Sequence, residues 1–258
     1  MKNSTIGFIG GGRVTRFMLR GFKSAGIALN NILVSDVSKE IIDALKHDYP
    51  EIKISESNAE PAQCDYVFLA LHPPALGPSL SDLGKSFKQD AFVISLAPKF
   101  TLAKLQAGLG GFNRLARMIP NAPSVINAGF NPIAFSSALS DKEQKAILSL
   151  VESLGQSPVV PDEQLESFAI ITAMGPTYFW FQFEHLRQLA VKLGMEEQTA
   201  SLAIHSMLEG TVKTYFDSGL SYAEVVNLIP VKPLAEQEDS IRGIYNSQLE
   251  PLYAKLTS

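Results

Sequence analysis

One cysteine, one tryptophan and four histidines are all that 258 residues contain of these types, and each shortage removes a class of chemistry. A single cysteine, Cys64, cannot form an internal disulfide, and a reducing cytoplasm is the simplest compartment for such a chain. It precedes the apolar run 66–71, where a small buried hydrophobe is the plain reading. His47, His185 and His205 are scattered over helical stretches with neither metal-ligand nor Ser-His-Asp spacing, so no metal site is expected. Basic tracts are absent too: 22 Lys and Arg stand against 26 Asp and Glu, a net charge of -4. That balance argues against a nucleic-acid partner. No apolar run approaches the length of a membrane span, and no signal-peptide core is expected at the N-terminus, so no membrane partner is expected either.

Up to about residue 160, strand and helix signals alternate. Candidate strands cover 5–9, 32–35, 52–54, 65–71, 91–96, 113–119 and 132–136. Helices are expected over 12–25, 39–48, 74–87, 101–109 and 141–154. Ser140 and Glu143 have capping-box spacing, and Gly155 is a plausible helix stop. Such alternation predicts an α/β fold, a parallel sheet with helices on both faces. Beyond 158–161 strand signals vanish. Helices are expected over 163–173, 176–193, 196–218, 222–229 and 234–256, with Gly194 and Gly219 at C-terminal caps and Ser221 and Glu224 as a second capping box. The division read from this change is an α/β domain over 1–160 and an all-α domain over 161–258. Tyr178, Phe179, Trp180, Phe181 and Phe183 make one helix apolar nearly all round. Cover from a second copy of the chain, a homodimer through the C-terminal helices, would bury it.

Near the start, an apolar run breaks into Gly10, Gly11 and Gly12 and then into a helical stripe of Val14, Phe17, Met18 and Phe22. A buried strand, a side-chain-free bend and a helix N-terminus make a dinucleotide-binding turn, in which the backbone approaches a pyrophosphate. An ordinary strand–helix turn is the competing reading. The third small position of the fingerprint is Thr15, whose β-branch is expected to open the turn slightly. Ser35 and Asp36 follow the second strand, where an adenosine ribose is read. Asp36 would accept from both ribose hydroxyls and repel a 2′-phosphate, a lean to NAD, whereas Ser35, Ser38 and Lys39 could cradle that phosphate instead; an ordinary turn residue is an equal reading of Asp36. His72, before Pro73 at the end of the fourth strand, could face the cleft as donor, acid or ribose ligand, or be a loop histidine without a task. Pro120 and Pro123 aim Asn121, whose amide could bond a cofactor carboxamide or substrate; turn chemistry alone also accounts for it.

In this order the motifs resemble the pyrroline-5-carboxylate reductase family. The matches are 6–12, Asn58, 70–73, 117–123 with Ala128 and Gly129, 175–178 with Glu184, Gly194-Met195 and 210–213, collinear through about Leu228. The resemblance implies a Rossmann domain, a helical domain that dimerises by interlocking helices, and an NAD(P)H cofactor reducing a cyclic imine to proline. By position it implies that Gly10, Gly11, Gly12, Arg13 and Val14 hold the pyrophosphate and Asn58 the adenosine ribose. Leu71, His72 and Pro73 would lie along the nicotinamide ribose, with Leu96 and Ala97 under the ring. Asn121, His72 and Thr172 are the candidate catalytic residues. The family has lysine at His72 and asparagine at Arg13, and its Ser-Gly-Ser-Gly-Pro-Ala-Tyr run is Thr172 to Tyr178 here. Its Ser-Pro-Gly-Gly-Thr-Thr loop, which grips the substrate carboxylate, is replaced by 229–236, with Ala235 and Glu236 at the threonines. Two readings follow: an NAD(P)-dependent oxidoreductase acting on the C=N or C=O of a small substrate, or a catalytically lapsed NAD(P)-binding sensor or scaffold of the same fold.

Overall fold

The structure, a computed structural model, describes residues 4–258; the first three positions of the expected 1–160 domain lie outside the described residues. The chain divides into two compact units, one running through Met174 and including Tyr253–Ser258, the other Gly175–Leu252.

The first unit is built on strands β1 (Ile6–Ile9), β2 (Ile32–Ser35), β3 (Lys53–Ser55), β4 (Tyr66–Leu69), β5 (Phe92–Ser95) and β6 (Leu115–Met118). Two short strands, β7 (Gly129–Phe130) and β9 (Gly155–Gln156), pair apart from the main sheet, and β8 (Ile133–Phe135) completes it in the order β3-β2-β1-β4-β5-β6-β8. The first six strands are parallel, with Phe8 beside Val34 and Phe68. The seventh departs from the parallel expectation: β8 runs antiparallel to β6, Arg117 opposite Ala134. No α-helix lies between them to carry the chain back to the starting end, as a parallel return requires.

Alternate side chains of each strand feed opposite cores. Phe8, Phe68, Ile94 and Met118 join Met18 and Phe22 of α1 (Arg13–Ser24) on one face. Leu69, Val67, Val93 and Leu115 join the other cluster, which takes in Leu76 and Leu80. The remaining helices of this unit are α2 (Lys39–Asp48), the unforeseen single turn α3 (Ala59–Ala62), α4 (Pro73–Ser86), α5 (Leu102–Gly108), α6 (Asp141–Val151) and α7 (Leu165–Phe168). Phe8 stacks on Phe68 with centroids 4.8 Å apart. Both bonds of the Ser140–Glu143 capping box form, and Gly155 takes a φ of +132° after α6. The helix expected over 163–173 is broken into a 3₁₀ turn, α7 and a π-turn over Ala169–Ala173. This stretch belongs to the first unit because Leu165 and Ala169 pack with Ile119 and Ala134.

The second unit holds α8 (Pro176–Lys192), α9 (Glu197–Asp217), α10 (Tyr222–Asn227) and most of α11 (Glu238–Thr257). Gly194 and Gly219, at φ +100° and +74°, follow α8 and α9, and the Ser221–Glu224 capping box is complete. Phe179, Trp180, Phe181, Leu202, Val212 and Phe216 are all exposed on this unit. No described helix is long and apolar enough to cross a membrane.

Candidate cofactor site

The strand order turns back on itself between β1 and β4, and ligands of open sheets bind beyond the carboxyl ends at that point. The three glycines leaving β1 are there for different reasons. Gly10 sits at φ +105°, and a Cβ on it would lie 2.7 Å from the Ala70 carbonyl oxygen. A methyl on Gly11 would press Leu45 and Ile41 of α2. At Gly12 a Cβ would meet nothing within 4 Å, and its φ of -67° suits any residue. The fold has no use for glycine at 12, whereas a ligand approaching the backbone does. Gly12 is also the N-cap of α1, with no side-chain cap and no acidic residue in the first turn. No side chain therefore caps the first N–H groups of this helix, which fits a pyrophosphate. Arg13, at the first helical position, is exposed and adds a cation there, while Val14 packs on the core.

Thr15 does not open the turn. It is fully buried, and its hydroxyl donates to the Gly10 carbonyl at 2.6 Å, so the residue that breaks the fingerprint staples the bend shut. Asp36 is tied into the same bend, its Oδ2 accepting from the Gly11 N–H at 2.7 Å and its Oδ1 from the Ser38 N–H at 2.8 Å. Of the hydroxyls that could cradle a phosphate, Ser35 has its proton engaged, whereas Ser38 accepts and keeps its own proton to donate. Ser35 Oγ donates to Asn58 Oδ1 at 2.8 Å, and Ser38 Oγ caps α2 by accepting from the Ile41 N–H. Asn58 Nδ2 donates to no partner among the described residues.

His72 is the exposed N-cap of α4, with Pro73 at the first helical position and Leu71 half-buried before it. Leu96 and Ala97 are core residues, so what they can present to a ring is backbone rather than side chain. The structure brings Asn121 and Thr172 together, Asn121 Nδ2 donating to the Thr172 carbonyl at 3.3 Å. Asn121 is otherwise spoken for: its Oδ1 accepts from the Phe130 N–H at 2.9 Å. Thr172 Oγ1 donates to the Phe168 carbonyl at 2.8 Å. The expectation that the Asn121 amide serves a carboxamide or substrate is thus reduced to one Nδ2 hydrogen. Its visible work is to bond a carbonyl of the π-turn and hold the 130 backbone.

Sequence reasoning missed the ionic cluster beneath. Arg117, fully buried on β6, donates through Nη1 to Asp162 Oδ1 and through Nη2 to Glu166 Oε1, both at 2.5 Å. Glu166 also accepts from the N–H of Lys99, which stands at φ +74°, and Asp162 accepts from the N–H of Leu102. The loop after β5, which carries Leu96 and Ala97, is thereby bound to β6 and to the helical turn ahead of Thr172. An arginine inside a four-residue strand was the one signal available, and its partners lie 45 and 49 positions away. No group of described residues is arranged to hold a metal ion.

Residues 5–99 match the family model described as NADP oxidoreductase coenzyme F420-dependent. The pyrroline-5-carboxylate reductase of Escherichia coli is 28% identical over 216 residues, 83% of this chain and 80% of that protein. That of Pseudomonas aeruginosa is 25% identical across 98% of this chain and 92% of its own. A crystal structure of Plasmodium falciparum pyrroline carboxylate reductase with NADP bound superposes with a TM-score of 0.86, covering 100% of this chain and 98% of that one at 20% identity. At that identity the last likeness speaks for the fold.

Proposed function

The chain is a divergent member of the pyrroline-5-carboxylate reductase family, and from that premise we propose that it is an NAD(P)H-dependent reductase of the C=N bond of a small substrate. The observation that carries the cofactor is the unobstructed Gly12 at the uncapped N-terminus of α1, over the reversal of the sheet. Gly10, Gly11, Gly12, Arg13 and Val14 would hold the pyrophosphate, with Asp36 and Asn58 on the adenosine ribose. Leu71, His72 and Pro73 would lie beside the nicotinamide ribose, and the backbone of Leu96 and Ala97 beneath the ring. When bound, the dihydronicotinamide supplies the hydride. The protein contributes position, exclusion of water and a proton for the nitrogen. His72 is the exposed titratable group among the candidates; the Thr172 hydroxyl proton is engaged by Phe168, so Thr172 and Asn121 serve as positioning residues.

Residues 1–160, with 161–174 packed on them, act in this reading as the cofactor domain, and the helices that follow as the dimerisation and substrate domain. The exposed aromatic and aliphatic side chains of α8 and α9 support a homodimer through the second unit. A cytoplasmic location fits an NAD(P)H-dependent enzyme. A screen of small cyclic imines and keto acids with NADH and NADPH, following loss of nicotinamide absorbance, tests the activity. Turnover of at least one imine is expected; tight cofactor binding with no turnover of any would favour the lapsed reading instead.

A further inference from the structure

The geometry points to selection of NADH over NADPH at the adenosine end of this site, an inference that rests on the cofactor reading above. A cavity of about 540 Å³ lies beside the glycine turn, with Ser35, Asp36 and Asn58 in its wall. The charged side chains that line it are all acidic: Asp36, Glu56 and Asp82. Among the described residues, no lysine or arginine lines it. Among the cations near these residues in sequence, Lys39, Lys53, Lys85 and Lys88 contribute nothing to its wall, although Lys85 pairs with the exposed Asp82 carboxylate at 3.5 Å, which leaves Asp36 and Glu56 as the acids unpaired among the described residues.

Asp36 decides the matter because it cannot step aside. Each of its oxygens is anchored by a backbone N–H, from Gly11 at 2.7 Å and from Ser38 at 2.8 Å. Swinging the carboxylate away to admit a phosphate would break both bonds and release the turn that is to hold the pyrophosphate. A carboxylate oxygen that already accepts one hydrogen bond retains a lone pair. Ribose hydroxyls at 2′ and 3′ can donate to those lone pairs, whereas a 2′-phosphate brings like charge and no fixed donor. The side-chain donors left in this wall, Asn58 Nδ2 and the Ser57 hydroxyl, are neutral, and the Asn58 oxygen is already held by Ser35. Val37, fully exposed on the same wall, offers apolar surface to an adenine.

Titrating the full chain with NADH and with NADPH, read by nicotinamide fluorescence or calorimetry at neutral pH and low salt, tests this without any substrate. NADH is expected to bind about tenfold tighter or more, the scale of one unrelieved like-charge contact. Asp36→Asn keeps an acceptor for the Gly11 N–H while removing the charge, and should bring the ratio to within about threefold, mainly by tightening NADPH. The pair Glu56→Gln with Asp82→Asn, neither of which touches the glycine turn, should move the ratio the same way. Equal or tighter NADPH binding by the wild type, or a ratio unmoved in both variants, would overturn the selection while leaving the cofactor site standing. A folded wild type that binds neither nucleotide would overturn the cofactor reading itself.

Discussion

At the residue scale, the three glycines make separable predictions. Gly12→Leu puts its side chain into open space on an ordinary φ. Its stability should fall by no more than about 1 kcal/mol, the cost of losing a favoured N-cap residue. NAD(P)H affinity should nevertheless be lost, because the side chain occupies the ground a pyrophosphate needs. Gly10→Ala is the converse, since φ +105° and the Ala70 carbonyl both oppose a methyl; a loss of about 1–3 kcal/mol is expected. Thermal melts beside cofactor titrations separate the two, and unchanged affinity in Gly12→Leu would remove the site from this turn. Arg117→Met tests the buried cluster. It strands Asp162 and Glu166, the second of them buried, and removing one partner of a buried pair costs about 3–5 kcal/mol. Urea unfolding measures it, and a loss under about 1 kcal/mol would mean that water reaches the carboxylates.

Among elements, the cap of α6 has a pH signature. The Ser140 hydroxyl and backbone N–H, and behind them Arg114, hold the Glu143 carboxyl at about 2 against an ordinary 4.5. A carboxyl lowered in the folded state stabilises above its unfolded value and loses that contribution as pH falls toward its folded one. The stability difference between wild type and Glu143→Gln should therefore be full at pH 7 and shrink between about pH 4.5 and 2, readable as converging melting temperatures. A second element-scale expectation concerns the segment that stands where the family's carboxylate-gripping loop belongs. In this chain 229–234 is exposed loop leading into a 3₁₀ turn, Ala235–Gln237, with Glu236 on it and Lys232 the nearby cation. A carboxylate deprived of charge-assisted bonds loses about 1.5–3 kcal/mol for each. Pyrroline-5-carboxylate turnover should accordingly fall a hundredfold or more below ordinary reductase efficiency, about the worth of two such bonds. Steady-state assays of the wild type beside Glu236→Thr check this; full wild-type efficiency would show that the carboxylate is held elsewhere.

For the whole molecule, the exposed apolar side chains of α8 and α9 are more than a monomeric surface ordinarily carries in one region. Sedimentation equilibrium at micromolar concentration should report twice the chain mass, and Phe181→Glu with Phe216→Glu should shift it to the monomer. A wild type that sediments as a monomer would leave the aromatic helix without an explanation.

Much of both units was legible in the chain because the signals are local. Six parallel strands, the glycine bend, both capping boxes and the stops at Gly194 and Gly219 depend on residues within a few positions of one another. Burial of the Cys64 thiol, whose pKa the apolar surroundings push up, followed from the run beside it in the same way. What depended on distant partners was not legible. The direction of β8 was set by a connection without a helix. The role of Thr15 was set by the carbonyl it reaches, and the anchoring of Asp36 by a glycine 25 positions away. Arg117 acquires its meaning only from Asp162 and Glu166, and Asn121 from a π-turn that no periodicity announces. Sequence by itself determined that a strand, a glycine bend and a helix would follow one another, since hydrophobic spacing and glycine are properties of contiguous residues. Only the tertiary structure decided which polar atoms remain available to a ligand, because a hydrogen bond between positions far apart in the chain is settled by the fold that brings them together.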